Sequence, residues 1–171
     1  GWAIAGGCVA ALATPPTDLY PAMFVGMAML AFAVRDTAGF WRGFGLGALW
    51  GTAGGLVGMR FVPSVILMFT DLGLIAAYAA HLLLSLGQSL HWALGMGLAA
   101  LLRRRWRAPL EVAFAAGVLL ALMIPSVFVW SPAGLLSPWP VLIQGAELVG
   151  ERGVSVLFAL IAALAVRSAL A

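Results

Sequence analysis

Long apolar runs separated by short polar or proline-bearing breaks set the rhythm of this chain. The first run, residues 2–13, is too short to cross a bilayer alone. It meets Thr14-Pro15-Pro16-Thr17-Asp18-Leu19-Tyr20-Pro21, where three prolines and an Asp predict a tight loop. A second run covers 22–34, and the connection 35–42 carries Arg35, Asp36 and Arg42. The third covers 43–59. Residues 60–71 hold a short apolar core between Pro63 and Thr70-Asp71, which predicts an interfacial or re-entrant piece. The fourth helix, 74–102, exceeds the ~20 residues a span needs, so it tilts or projects beyond the bilayer. Arg103-Arg104-Arg105-Trp106-Arg107 ends it. The fifth helix, 109–129, is expected to kink at Pro125. A non-helical stretch, 130–140, follows; 141–150 is expected in the interface and 153–166 forms the sixth helix. The fold expected is all-α: a polytopic transmembrane bundle of about six helices with short interfacial segments.

Composition supports lipid as the solvent. The 171 residues are 64% hydrophobic and only 9% charged, and mean hydropathy is +1.09. A soluble domain carries about 25% charged residues, so a water-facing surface cannot be coated here. The 21 glycines suit close helix packing in lipid. Residues 1–171 read as a single transmembrane domain. The chain starts at Gly1 and stops at Ala171 just past an apolar run, so a piece of a longer protein is expected. A cleaved signal peptide is the weaker alternative, because the first apolar run continues into the chain.

The net charge of +3 does not point to nucleic acid, because the arginines sit at the ends of apolar runs. Every basic residue is Arg; there is no Lys. Alternate connections carry Arg35 and Arg42, then Arg103, Arg104, Arg105 and Arg107, then Arg167, while the opposite ones carry Arg60 and Arg152. The positive-inside rule puts both termini in the cytoplasm and the proline-rich loops outside. Cys8, the single cysteine, lies in an apolar run and reads as a small inert side chain.

Candidate chemistry is sparse. Gly43, Gly47, Gly51 and Gly55 recur every four residues, a flat face for ordinary helix packing or for close approach of another backbone or a lipid chain. His81, Ser85, Gln88 and His91 fall along one helix face with some drift. They read as interhelical hydrogen bonding or as a substrate-facing polar stripe. The two histidines, ten residues apart, are about 15 Å apart along a helix, too far to share one metal. The outer loops collect Pro15, Pro16, Tyr20 and Pro21, then Trp130, Pro132, Pro138, Trp139 and Pro140. Such loops anchor a chain at the headgroup level or rim a lipid-binding mouth. No GxSxG, HExxH, CxxC or P-loop occurs. Glu147 and Glu151 beside Arg152 read most simply as a solvated turn.

The order of these loops resembles the bacterial apolipoprotein N-acyltransferases. Leu12-Ala13-Thr14-Pro15-Pro16-Thr17-Asp18-Leu19-Tyr20-Pro21 is similar to that family's "LAFPP-x-D-x-W-P" opening, with Tyr20 in place of Trp. The glycine-rich run from Arg42 to Gly51 resembles its third-segment motif, and Ser137-Pro138-Trp139-Pro140 its "FPW" loop. The stretch from Ala146 to Leu160 is similar to the opening of its sixth helix. The resemblance covers nearly the whole chain.

The resemblance implies a membrane bundle with a nitrilase-like periplasmic domain. There, a Glu-Lys-Cys triad takes an acyl chain from phospholipid as a thioester and passes it to the N-terminal amine of a lipoprotein. It also implies a multi-pass protein of the bacterial inner membrane. Partners would be the bilayer, a phospholipid donor and a lipoprotein acceptor, with no nucleic acid, cofactor or metal. With no Lys, and Cys8 on another segment, no catalytic residue is carried over. Pro15, Pro16, Asp18, Tyr20, Pro138 and Trp139 are instead expected to shape a lipid or substrate mouth. Two departures matter. Val127-Phe128-Val129-Trp130-Ser131-Pro132 lacks the Glu and Arg that usually precede "FPW", and the aromatic stretch after the third segment is reduced to Met59-Arg60-Phe61-Val62. They also fit a diverged, non-catalytic relative. The rival reading is a non-enzymatic membrane protein, either a small transporter or a helix-packing scaffold. A transporter would often show two similar halves with broken helices, and only Pro125 suggests such a break.

Overall fold

Prolines and glycines set the helix limits in the computed structural model, which describes residues 1–37, 39–128, 130–136 and 139–171. Helix α1 spans Trp2–Ala11. Helix α2, Pro21–Val34, starts on a proline whose missing N–H costs nothing in a first turn. Gly39, at φ +103°, turns the chain into α3, Phe40–Gly58. Helix α4, Val62–Phe69, bends away from α3 by 56°. Helix α5 spans Leu74–Trp106, and three arginines in its last turn complement its dipole. Helix α6 spans Leu110–Met123. A single 3-10 turn, Gly134–Leu136, and the short α7, Pro140–Ile143, lead to α8, Ala146–Ala169.

The architecture is an all-α helical bundle. Six helices close a ring in the order α1, α3, α5, α6, α8, α2 and back to α1. Met27, Leu30, Met96, Phe114 and Val118, each at most 1% exposed, fill its interior. The six apolar segments expected from the sequence are these six helices, and the interfacial piece at 60–71 is α4. Two helices, α5 and α8, are long and apolar enough to cross a membrane alone, and α3 with α4 passes only as a bent pair. Helices α1, α2 and α6 are apolar but shorter, so six full spans is more than helix length supports.

Three boundaries differ from the sequence expectation by four residues or more. Helix α6 stops at Met123 instead of kinking at Pro125, because a residue before proline is pushed out of the helical region and Ile124 is extended, at φ −83° and ψ 126°. Helix α5 runs four residues further, to Trp106, because the arginines are good helix formers at a favourable end. The sixth segment starts at Ala146, with its break at Gly150, whose φ of +72° an L side chain rarely adopts. Residues 146–149 therefore form a helical turn before that break.

The glycine face of α3 packs on α5, the most extensive helix pair in the bundle. A Cβ on Gly43 would run into the Met96 carbonyl, and one on Gly47 into that of Trp92. A Cβ on Gly51 would lie 2.9 Å from the Ser89 Cα. Gly95 and Gly117 abut in the same way between α5 and α6. Lipid tails are as apolar as side chains, so burial drives helices together weakly, and van der Waals contact between closely approached backbones takes its place. Gly47→Ala is therefore expected to destabilise the bundle by about 1–3 kcal/mol. Gly45→Ala, on the same helix with open space around it, is expected to be neutral or stabilising by about 0.5–1 kcal/mol. Thermal unfolding of the two variants in detergent separates packing from helix propensity.

Candidate functional site

Helix α6 begins beside the arginine-rich end of the ring and has 14 residues, a rise of about 21 Å against a hydrocarbon core of ~30 Å. The chain after Met123 therefore leaves the helix within the membrane thickness. Irregular backbone at that depth survives only where protein or a polar cavity satisfies its amides. Here specific side chains do so. Gln88 on α5 donates from Nε2 to the Phe128 carbonyl at 3.0 Å and accepts the Val127 N–H on Oε1 at 2.7 Å. Ser155 on α8 accepts the Ala133 N–H at 3.0 Å. Ser131 accepts the Gly134 N–H at 2.9 Å and donates to the Glu151 carboxylate. Ser131, Pro132, Ala133 and Leu136 are buried as a result.

This dipping loop roofs a cavity of about 80 Å³. Phe128, Trp130, Pro132 and Leu135 form the roof, while Ala10, Ala11 and Thr14 of the first helix and loop, Gly51, Gly54 and Gly55 of α3, and His91 and Trp92 of α5 form the walls. Trp50 and Trp92 meet edge to face with centroids 4.6 Å apart, and Trp50 Nε1 donates to the Gly26 carbonyl at 3.1 Å, which fixes that wall. The glycines that line it also pack closely, Gly51 on Ser89, Gly54 on Gly7 and Gly55 on Ser85. A second cavity of about 80 Å³ lies nearby, lined by Ser126, Ser131, Glu151 and Arg152 together with Ala121, Leu122, Ile124 and Pro125. His91 and Trp130 line both. The second cavity thus sets charged and hydroxyl groups beside apolar ones.

The four residues of the polar stripe part company. Gln88 and His91 line the cavities, whereas His81 and Ser85 do not, and His81 Nε2 and Ser85 Oγ are buried without a hydrogen-bond partner among the described residues. Ser85 lies against Gly55. At 100° per residue His91 lies about 120° around the helix from Ser85, so one face cannot hold both. The loop residues come together more simply. Tyr20 and Trp139 meet edge to face at 6.1 Å, joining the loop before α2 to the one before α7. Pro15, Pro16 and Asp18 are exposed beside them, Asp18 at φ +50° and the two prolines across a cis bond. None of the three lines the cavity; their neighbour Thr14 does. Pro138 lies outside the described residues.

Sequence reasoning missed Trp50, Trp92, Ser131 and Ser155, and it read Glu151 as part of a solvated turn. Tryptophan deep in an apolar run was the available signal for the first two. Ser131 and Glu151 are 20 residues apart, and only the dipping loop brings them together. Among the described residues no three His, Cys, Asp or Glu side chains converge as a metal-ligand set.

These features define a membrane-embedded helical domain with an amphipathic cavity beneath its loops. The family model of the apolipoprotein N-acyltransferase N-terminal domain matches residues 6–164, and the chain belongs to that family. No curated protein matches it.

Replacing Gln88 with Ala removes both loop hydrogen bonds and leaves Phe128 and Val127 backbone groups unpaired. The expected cost is about 1–3 kcal/mol for each group that stays buried. Faster hydrogen exchange at the Val127 amide, with a lower melting temperature in detergent, is the signature to measure.

Proposed function

We propose that residues 1–171 form one membrane domain of a phospholipid-to-lipoprotein N-acyltransferase, and that the paired cavities receive the donor lipid. The observation that carries this reading is a mostly apolar cavity next to one bordered by Glu151 and Arg152, with His91 and Trp130 lining both. A phospholipid has that polarity order. Part of an acyl chain would lie against Trp50, Trp92 and the α3 glycines. The headgroup would rest by Arg152, whose guanidinium complements phosphate, and Glu151, whose carboxylate complements an ammonium. The joined loops of Tyr20 and Trp139, with Pro15, Pro16 and Asp18, form the rim. Gln88 holds the roof, and His81 and Ser85 serve helix packing.

The bundle's part is binding and presentation. The covalent steps, formation and aminolysis of an acyl thioester, belong to the nitrilase-like domain that the family resemblance implies. Seven arginines gather at one end of the bundle and two, Arg60 and Arg152, at the other. That asymmetry supports an inner-membrane orientation with cytoplasmic termini and an outward mouth.

Photolabelling tests the reading. The full-length protein, reconstituted with a phospholipid carrying a diazirine on its acyl chain, is expected to be labelled on the loop segment 130–135 and at Thr14. Leu135→Trp, which fills the roof, is expected to reduce that labelling and the transfer of acyl groups to a diacylglyceryl lipopeptide together. Labelling confined to the outer helix surfaces refutes the cavity assignment. Cavity labelling without any acyl transfer identifies a non-catalytic relative.

A further inference from the structure

The end of the bundle opposite the mouth holds a second built feature. Four arginines gather between the ends of α2, α5, α6 and α8 and line a common cavity, Arg35, Arg103, Arg107 and Arg167, with Leu170 and Ala171 at its edge. Two side-chain carboxylates answer them. Asp36 pairs with Arg35 at 2.9 Å, and Glu111, nearly buried, pairs with Arg167. Arg103 and Arg107 have no carboxylate partner among the described residues.

Two of the four guanidinium groups are also held in place by other contacts. Arg103 donates from Nε to the Arg35 carbonyl at 2.8 Å and from Nη1 to the Ala108 carbonyl at 3.4 Å. Arg35 donates to the Phe32 carbonyl at 2.9 Å and stacks on the Phe32 ring at 3.5 Å. Carbonyl acceptors orient an arginine without cancelling its charge. Arg107 closes α5 in the left-handed region at φ +51° and is exposed. Its carbonyl-free, carboxylate-free side chain borders the same space. The result is a concave, preoriented cationic site with surplus positive charge, at a helix-bundle edge where anionic headgroups are available.

From this we infer that the arginine cavity binds a phosphate-bearing anion, supplied either as the headgroup of an anionic phospholipid of that leaflet or as free phosphate. The site is separate from the outer mouth and does not depend on the donor-lipid reading. A bound headgroup would bridge α5 to α2 and α8, tying together the ends of three ring helices.

Native mass spectrometry of the full-length protein tests this, using micelles with equal phosphatidylglycerol and phosphatidylcholine. Wild type is expected to retain phosphatidylglycerol preferentially. Arg107→Gln is expected to lower that preference about fivefold, the effect of one surface arginine on an anionic headgroup. Arg107→Lys should keep most of it, and Arg60→Gln, at the other end of the bundle, should leave it unchanged. A parallel titration with inorganic phosphate in phosphatidylcholine micelles identifies the source. Phosphate binding that is lost in Arg107→Gln and that competes with phosphatidylglycerol assigns the site to free phosphate. Insensitivity to phosphate assigns it to the lipid. Arg103→Gln combined with Arg107→Gln deepens the loss if it folds, and the single variant decides if it does not. Equal retention of the two lipids with no phosphate binding, or an Arg107→Gln protein identical to wild type, overturns the assignment.

Discussion

The obligation to satisfy backbone amides away from water governs this fold more than any other constraint. A helix does so internally, but α6 is too short to reach the far surface, and the chain beyond it runs as irregular loop inside the membrane thickness. Gln88, Ser155 and Ser131 supply the partners that the loop lacks. Without them the segment 124–136 would have to rise to the interface, and the cavity would lose its roof. The site therefore exists because three polar side chains, on α5, on α8 and on the loop itself, meet the same demand.

Glycine brings α3 close to two neighbours at once. Toward α5, Gly43 and Gly47 let backbones touch, and Gly55 meets Ser85. Toward α1, Gly54 stands against the Gly7 backbone. Gly51, Gly54 and Gly55 also border the cavity, beside the two tryptophans. Trp50, held by the Gly26 carbonyl, and Trp92 set a rigid wall that keeps the helices from collapsing into the void.

The helices were legible in the sequence because apolar runs broken by proline, glycine and arginine leave little choice of topology. The site was legible only in part. The Tyr20 and Trp139 loops could be matched to a family pattern, and they do meet. The polar stripe could be found but not aimed. A drift of three and four residues looks like one face over a turn, yet it separates Ser85 from His91 across the helix. Gln88 is a case in point: its partners, Phe128 and Val127, lie 40 and 39 residues away on a segment expected to be helical. Had α6 continued through Pro125, the Val127 N–H would have been paired with the Met123 carbonyl and unavailable to Gln88. The error about the proline and the missing role of the glutamine are one error.

That same point bears on the family's characteristic charges. The region ahead of "FPW" lacks the acid and the arginine expected there. Glu151 and Arg152, from the start of α8, border the polar cavity beneath it instead. Ser131 of the loop bonds to Glu151 and so couples the two segments directly. A carboxylate and a guanidinium thus stand beside the dipping loop although the loop itself carries neither. Loss of charge from one segment need not strip charge from the cavity when a neighbouring helix presents the same two groups.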